Sequence, residues 1–141
     1  MTIDQLSVFV ENKPGHLLEI TETLGNAGID LRALSIGDTA EFGVLRLIVN
    51  EPPRAEKILR DAGFAVSITP VLAVSLADTP GSLGKILRVI AAEGINVEYL
   101  YAFVTRKSGG AYVVFRVEDN QAATAVLGQN GVFFVSLEEL A

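Results

Sequence analysis

The chain has 141 residues, half of them hydrophobic, with 11 basic against 17 acidic side chains and a net charge of -6. That balance repels phosphate backbones and anionic membranes and excludes nucleic acid and membrane as expected partners. The absence of cysteine removes disulfides, thiolate catalysis and cysteine metal sites together. The opening Met-Thr-Ile-Asp-Gln has no basic region ahead of an apolar core, and no apolar run approaches the roughly 18 residues that cross a bilayer. A cytoplasmic, unprocessed chain is the expectation.

In chain order, Ile3 to Val10 is an apolar, β-branched run bounded by polar residues, which suits a strand. The turn Asn12-Lys13-Pro14-Gly15-His16-Leu17 follows. Leu17, Ile20, Leu24 and Ala27 then recur at helical spacing and stop at Gly28. Two strands come next, Leu31 to Gly37 and Gly43 to Asn50. A second helix runs from near Pro53 to Gly63, and Phe64 to Thr69 is a closing strand. After Pro70 the order begins again. A strand Val71 to Ala77 leads into the turn Asp78-Thr79-Pro80-Gly81-Ser82-Leu83 and a helix striped by Leu83, Ile86, Leu87 and Ile90 that ends at Gly94. Strands Val97 to Thr105 and Ala111 to Glu118, a helix from Gln121 to Gly131 and a strand Val132 to Leu137 complete it.

This is an internal repeat. VFVENKPGHLLEITETLGNAGIDLRAL from Val8 aligns with VSLADTPGSLGKILRVIAAEGINVEYL from Val74 at a constant offset of 66. The match resumes at offset 68, where GVLRLIV from Gly43 meets AYVVFRV from Ala111, so the second copy gains two residues near Lys107-Ser108-Gly109-Gly110. A Gly-rich hairpin tolerates such an insertion without loss of strand register. The expected fold is α+β: two ferredoxin-like βαββαβ modules, residues 1–70 and 71–141, each a four-stranded antiparallel sheet with two helices on one face. A module of about 70 residues buries only about 60% of its unfolded surface and is marginal alone. Pro70 is the only linker, so a rigid tandem with packed or edge-paired sheets is expected, along with a homodimer that covers exposed strands.

The duplicated turn carries the chemistry. Proline suits a first helical turn, and Asn12 in one copy and Asp78 or Thr79 in the other are candidate caps. Glycine removes a Cβ that would hinder approach to the backbone. A helix N-terminus offers unpaired N–H groups and a partial positive charge to a carboxylate, and the side chain of Asn12 or Asp78 can receive an ammonium group. The same residues can also do no more than start a helix. Each turn is coupled at a fixed distance to a second segment, Gly28-Ile29-Asp30-Leu31 or Gly94-Ile95-Asn96-Val97.

The string of strand, Asp/Asn-x-Pro-Gly-x-Leu, amphipathic helix, Gly-Ile-Asp/Asn-hydrophobic and paired strands resembles the ACT domain, in two copies over nearly the whole chain. The resemblance implies a regulatory module that binds amino acids at the seam between two modules. It marks Asn12, Pro14, Gly15, His16, Leu17, Asp30 and Leu31 in the first copy. In the second it marks Asp78, Pro80, Gly81, Ser82, Leu83, Asn96 and Val97. The copies are unequal: Asn12 stands against Asp78, His16 against Ser82, and Ala33 and Ser35 against Tyr99 and Tyr101. Equivalent ligand sites are therefore not expected, and the tyrosines are read as cover for a sheet edge ahead of pocket walls. The string Glu11-Asn12-x-x-Gly15-x-Leu17 also resembles the ACT module of acetolactate synthase small subunits, which implies an enzyme partner as the alternative role.

Catalytic chemistry is missing. His16 is the single histidine, and zinc sites recruit several nitrogen or sulfur ligands. There is no G-x-S-x-G elbow, phosphate loop, H-E-x-x-H or G-x-G-x-x-G opening a helix. Glu19, Glu22, Asp61, Glu138 and Glu139 fall on helical faces or at the tail, where solvated charge is the ordinary state. Arg46 and Arg116 are expected as exposed strand residues. The expectation is an amino-acid-binding regulatory protein with no catalytic residue, no metal and no cofactor.

Overall fold

The computed structural model describes residues 1–38, 42–104 and 110–140. Its elements are β1 (Ile3–Glu11), α1 (His16–Asn26), β2 (Leu31–Asp38), β3 (Phe42–Val49), α2 (Pro52–Asp61), β4 (Val66–Ala77), α3 (Ser82–Ala92), β5 (Val97–Val104), β6 (Gly110–Val117), α4 (Asn120–Gln129) and β7 (Phe133–Phe134), with a 3-10 turn at Glu138–Leu140. They form two compact units, an N-terminal one of Asp4–Thr69 and a C-terminal one of Met1–Ile3 with Pro70–Leu140.

Each unit is a ferredoxin-like α+β module. In the N-terminal unit the sheet order is β2-β3-β1, with the first residues of β4 in fourth place. Leu6 pairs with Leu47 and Val8 with Leu45 across β1 and β3. These residues, with Val10 and Val49, turn one face toward Ile20 and Leu24 of α1 and Ala55 and Leu59 of α2. Strand alternation puts every second residue on that face and helical spacing brings the two stripes down onto it. The C-terminal unit has the order β5-β6-β4-β7. Its core gathers Leu72, Val74, Val113, Phe115 and Val117 under Ile86 and Ile90 of α3 and Ala123 and Leu127 of α4. Among the described residues no helix is long and apolar enough to cross a membrane.

All four helices close in one way. The glycine after the cap, Gly28, Gly63, Gly94 or Gly131, has positive φ. Its N–H and that of the next residue reach back to carbonyls three and five residues upstream, as in Gly28 to Gly25 and Ile29 to Leu24. This is the Schellman arrangement, and only glycine takes that conformation without steric cost.

Three expectations change. Pro70 does not divide two strands, because β4 runs through it for 12 residues. Proline's fixed φ is compatible with extended chain, and the Pro70 carbonyl accepts from Arg116 Nη1 at 3.4 Å and Asn120 Nδ2 at 3.3 Å. The closing strand of the second copy shrinks to Phe133 and Phe134, paired with Ser75 and Val74; the remainder turns into the 3-10 segment, where Leu140 is buried. Leu17, placed in the core stripe, is 41% exposed. The two-residue insertion read near Lys107 to Gly110 falls largely on residues 105–109, outside the described residues. Arg116 is a partly exposed strand residue whose Nε meets Glu98 at 2.9 Å, and Arg46 is half-buried.

The helix starts differ. Among the described residues at the N-cap position, Asp119 of α4 is the one whose side chain caps its helix, accepting from the Ala122 N–H at 3.0 Å. Asp119→Ala should lower stability by about 1 kcal/mol, measured by urea denaturation, while a loss near zero would mean that solvent serves this end equally well.

Candidate functional site

The two turns superimpose in kind. β1 ends at Glu11, and residues 12–15 turn the chain into α1, whose N-cap is Gly15 with φ 85. After β4, residues 78–81 do the same for α3, with Gly81 at φ 88. The N-cap position of each helix is held by a glycine, which has no side chain to cap with, and not by the Asn12, Asp78 or Thr79 that were expected there. A Cβ on either glycine would meet nothing within 4 Å. Conformation requires glycine here, and crowding does not.

What locks each turn is local. The Glu11 N–H donates to His16 Nδ1 at 2.7 Å, and the His16 ring lies tilted 5.6 Å from that of Phe64. In the second copy Thr79 Oγ1 and Ser82 Oγ are 2.8 Å apart. His16 and Ser82 are thus alternative fastenings at equivalent positions. The first intrahelical bonds at these ends are Glu19 N–H to the Gly15 carbonyl and Lys85 N–H to the Gly81 carbonyl. The preceding N–H groups of Leu17 and Leu18, and of Leu83 and Gly84, therefore lie before the helical ladder begins. By contrast α2 starts on Pro52 and Pro53, which have no N–H, and α4 is capped. Among the described residues, α1 and α3 are the helices whose N-cap is a glycine of positive φ.

The second half of the motif lies elsewhere in each unit. Asp30 and Leu31 follow the far end of α1, whose 11 residues span about 16 Å at 1.5 Å per residue. One unit therefore does not bring Asp30 and Leu31 to Asn12, Pro14, Gly15, His16 and Leu17, and the same separation holds between Asn96 with Val97 and the turn of Asp78, Pro80, Gly81, Ser82 and Leu83. Asp30 is held by Asn50, whose Oδ1 accepts its N–H at 3.0 Å, and by Arg32 at 2.8 Å. Asn50 was not singled out from sequence, although an asparagine between a strand and a Pro-Pro helix start was the signal. In the C-terminal unit a cleft of about 610 Å³ opens beside Gly94 and Ile95, with Glu93, Glu118 and Asp119 on its wall. Tyr101 is buried and Tyr99 half-buried. Among the described residues no cluster of acids and histidine is fit to hold a metal.

Electrostatics at the first turn centre on an exposed pair missed in sequence, Lys13 Nζ to Glu11 at 2.9 Å. The hydrogen bond and charge of Lys13 hold the Glu11 carboxyl below the usual carboxylate range, and the Glu11 contact raises Lys13 in turn. A lowered carboxylate favours the folded state above its unfolded value and loses that contribution as pH falls through the folded one; the raised Lys13 loses its contribution as pH rises through its folded value. Both groups are solvent-exposed, so the effect on stability is small. Lys13→Met should shift the Glu11 carboxyl titration upward in an NMR pH series and leave the melting temperature nearly unchanged. A Glu11 titration that does not move would rule Lys13 out as the cause.

A family model described as an ACT domain pair matches residues 1–141. The chain is similar to the crystal structure of protein BT0572 from Bacteroides thetaiotaomicron, with 41% identity, 99% of this chain and 96% of that chain covered, and a TM-score of 0.93. It shares its fold with the regulatory subunit of aspartate kinase from Thermus thermophilus, at 20% identity, 89% and 91% coverage and a TM-score of 0.65. The corresponding subunit from Thermus flavus gives 20%, 89%, 90% and 0.62. No curated protein matches the sequence.

Proposed function

Since the chain belongs to the ACT domain family as a pair of such domains, we propose that it is a regulatory protein, not an enzyme, that senses a free amino acid. The ligand sits at a seam between ACT modules and changes the packing or the partner contacts of the chain. The observation that supports this is the pair of helix starts whose N-cap is a glycine of positive φ, Gly15 and Gly81. An amino-acid carboxylate takes the N–H groups there, with Asn12 or Asp78 beside it to receive the ammonium group. The separation of each turn from Asp30 or Asn96 along the intervening helix fits a seam: a ligand touching both halves of the motif draws them from neighbouring modules. A ligand of this kind shifts an equilibrium only through its different affinity for two arrangements. The protein is placed in the cytoplasm, working as a homodimer and without a cofactor.

A second reading makes the chain the regulatory subunit of an amino-acid-biosynthetic enzyme such as acetolactate synthase. The exposed apolar side chains Leu17, Leu18, Leu34 and Ile36 favour a contact surface of some kind. Thermal denaturation of the full chain with each of the twenty amino acids separates the readings. One or a few should raise the melting temperature; if none does, the sensing reading fails and partner contact takes its place.

A further inference from the structure

The two copies treat one corner of the module in opposite ways. In the N-terminal unit Ala27 is the C-cap of α1 and Glu51 the N-cap of α2, and Arg54 spans the space between them. Its Nη2 donates to the Ala27 carbonyl at 2.6 Å, and its Nη1 meets the Glu51 carboxylate at 3.1 Å. One planar guanidinium thus joins the partly negative end of a helix to a side-chain anion, through donors set in a fixed fork.

The C-terminal unit keeps the backbone of this corner. Glu93 is the C-cap of α3 and Asp119 the N-cap of α4, and the bond from the Asn50 N–H to the Asp30 carbonyl recurs from Glu118 to Asn96, at 3.3 Å in both. Four side chains change together: Ala27 is matched by Glu93, Asn50 by Glu118, Glu51 by Asp119 and Arg54 by Ala122. The cation is gone, and at these positions one carboxylate has become three. Beside them opens the cleft of about 610 Å³, with Asn120 also on its wall. Asp119 caps α4 through Oδ1, and among the described residues Glu93, Glu118 and Asp119 have no basic partner. Asn120 adds an acceptor. Its Nδ2 donates to the Pro70 carbonyl at 3.3 Å, while its Oδ1 is buried with no hydrogen-bond partner, a state that calls for a donor.

We propose that this cleft, between the end of α3 and the start of α4, binds a small guanidinium-bearing molecule from solution in the place that Arg54 fills in the first copy. The Glu93 carbonyl stands where the Ala27 carbonyl does, and the Asp119 carboxylate where that of Glu51 does, so a guanidinium finds the same two acceptors. The Glu93 and Glu118 carboxylates add negative charge at the rim, and Asn120 Oδ1 supplies a further acceptor. The acids do not converge as metal ligands do among the described residues, whereas a flat cation with several donors can reach acceptors that stand apart. A cleft of about 610 Å³ falls within the range of small-molecule sites, roughly 300–1,000 Å³, and leaves room for a short chain behind the guanidinium. The site lies at the opposite end of α3 from Gly81, so it does not rest on the sensing reading.

Equilibrium dialysis of the full chain against agmatine tests the site separately from sensing, because agmatine has a guanidinium and no carboxylate to engage the helix starts. One molecule should bind per chain, more weakly as salt is raised. Putrescine, which offers ammonium groups without the planar fork, should bind less well. Glu93→Gln and Glu118→Gln should each weaken agmatine binding by about two- to fivefold, the range of exposed ion pairs. Ala122→Arg gives the second copy the residue of the first, and its own guanidinium should take the cleft and abolish binding, whereas Ala122→Ser should bind as the wild type does. Residue 122 is exposed, and far-ultraviolet circular dichroism checks that each variant is folded. No binding of agmatine, equal binding of putrescine, or agmatine binding that survives Ala122→Arg would overturn the assignment.

Discussion

Truncating Phe115 to alanine should destabilise the protein by about 3–5 kcal/mol. Its side chain is among the largest fully enclosed ones, 2% exposed at the centre of the C-terminal core. It lies in β6 between β4 and β5, paired with Leu72 and Leu100, and packs in one core with Ile86 and Ile90 of α3 and Ala123 and Leu127 of α4. The corresponding residue of the first copy is Leu47, so Phe115→Leu borrows a solution the fold already uses and should cost much less, on the order of 1 kcal/mol. Denaturant titration followed by circular dichroism measures both. A Phe115→Ala protein within 1 kcal/mol of its parent would mean that this core is looser than its burial indicates.

The second large effect is stabilisation by ligand. An amino acid present at one hundred times its dissociation constant should add about 2.7 kcal/mol, readable as a rise in melting temperature that grows with the logarithm of concentration. Asn12→Ala and Asp78→Ala then ask which turn is used, since both side chains are exposed and neither occupies the N-cap position of its helix. Because the turns differ in charge and in the His16 and Ser82 fastenings, one variant should abolish the shift and the other should leave it nearly intact. Equal losses would mean that the two sites are equivalent. Valine at Gly15 or Gly81 is a poor probe, because φ near 85 or 88 is strained for an L residue by roughly 1–2 kcal/mol, and lost binding could not be separated from a distorted turn.

Much of the fold was legible because the chain states it twice. A single pass over Leu31 to Asn50 is ambiguous, but the same periods recurring behind the same Pro-Gly turn identify strand, helix and strand pair in order. What escaped depended on partners distant in sequence. Pro70 reads locally as a breaker, yet it lies inside the 12 residues of β4, where its carbonyl accepts from Arg116 and Asn120, both distant in sequence. Val132 to Leu137 has the composition of a strand, but the ladder covers only Phe133 and Phe134, with one further main-chain bond from the Val135 N–H to the Ala73 carbonyl. At the site, the two turns and their glycines were legible, but not that each glycine would itself stand at the N-cap, because that depends on its positive φ. Leu17 illustrates the limit of periodicity: its spacing puts it on the rim of the buried stripe, and the size of Thr21 beside it leaves that rim in water.

Every C-terminal stop described above is made by main-chain N–H groups around a glycine of positive φ, so replacing a neighbouring side chain leaves it in place. The helix starts are different: an imidazole fastens the turn before α1 and a carboxylate caps α4. Substitution at His16 or Asp119 can therefore loosen where these helices begin but not where they end, and amide exchange in such variants should open those beginnings first.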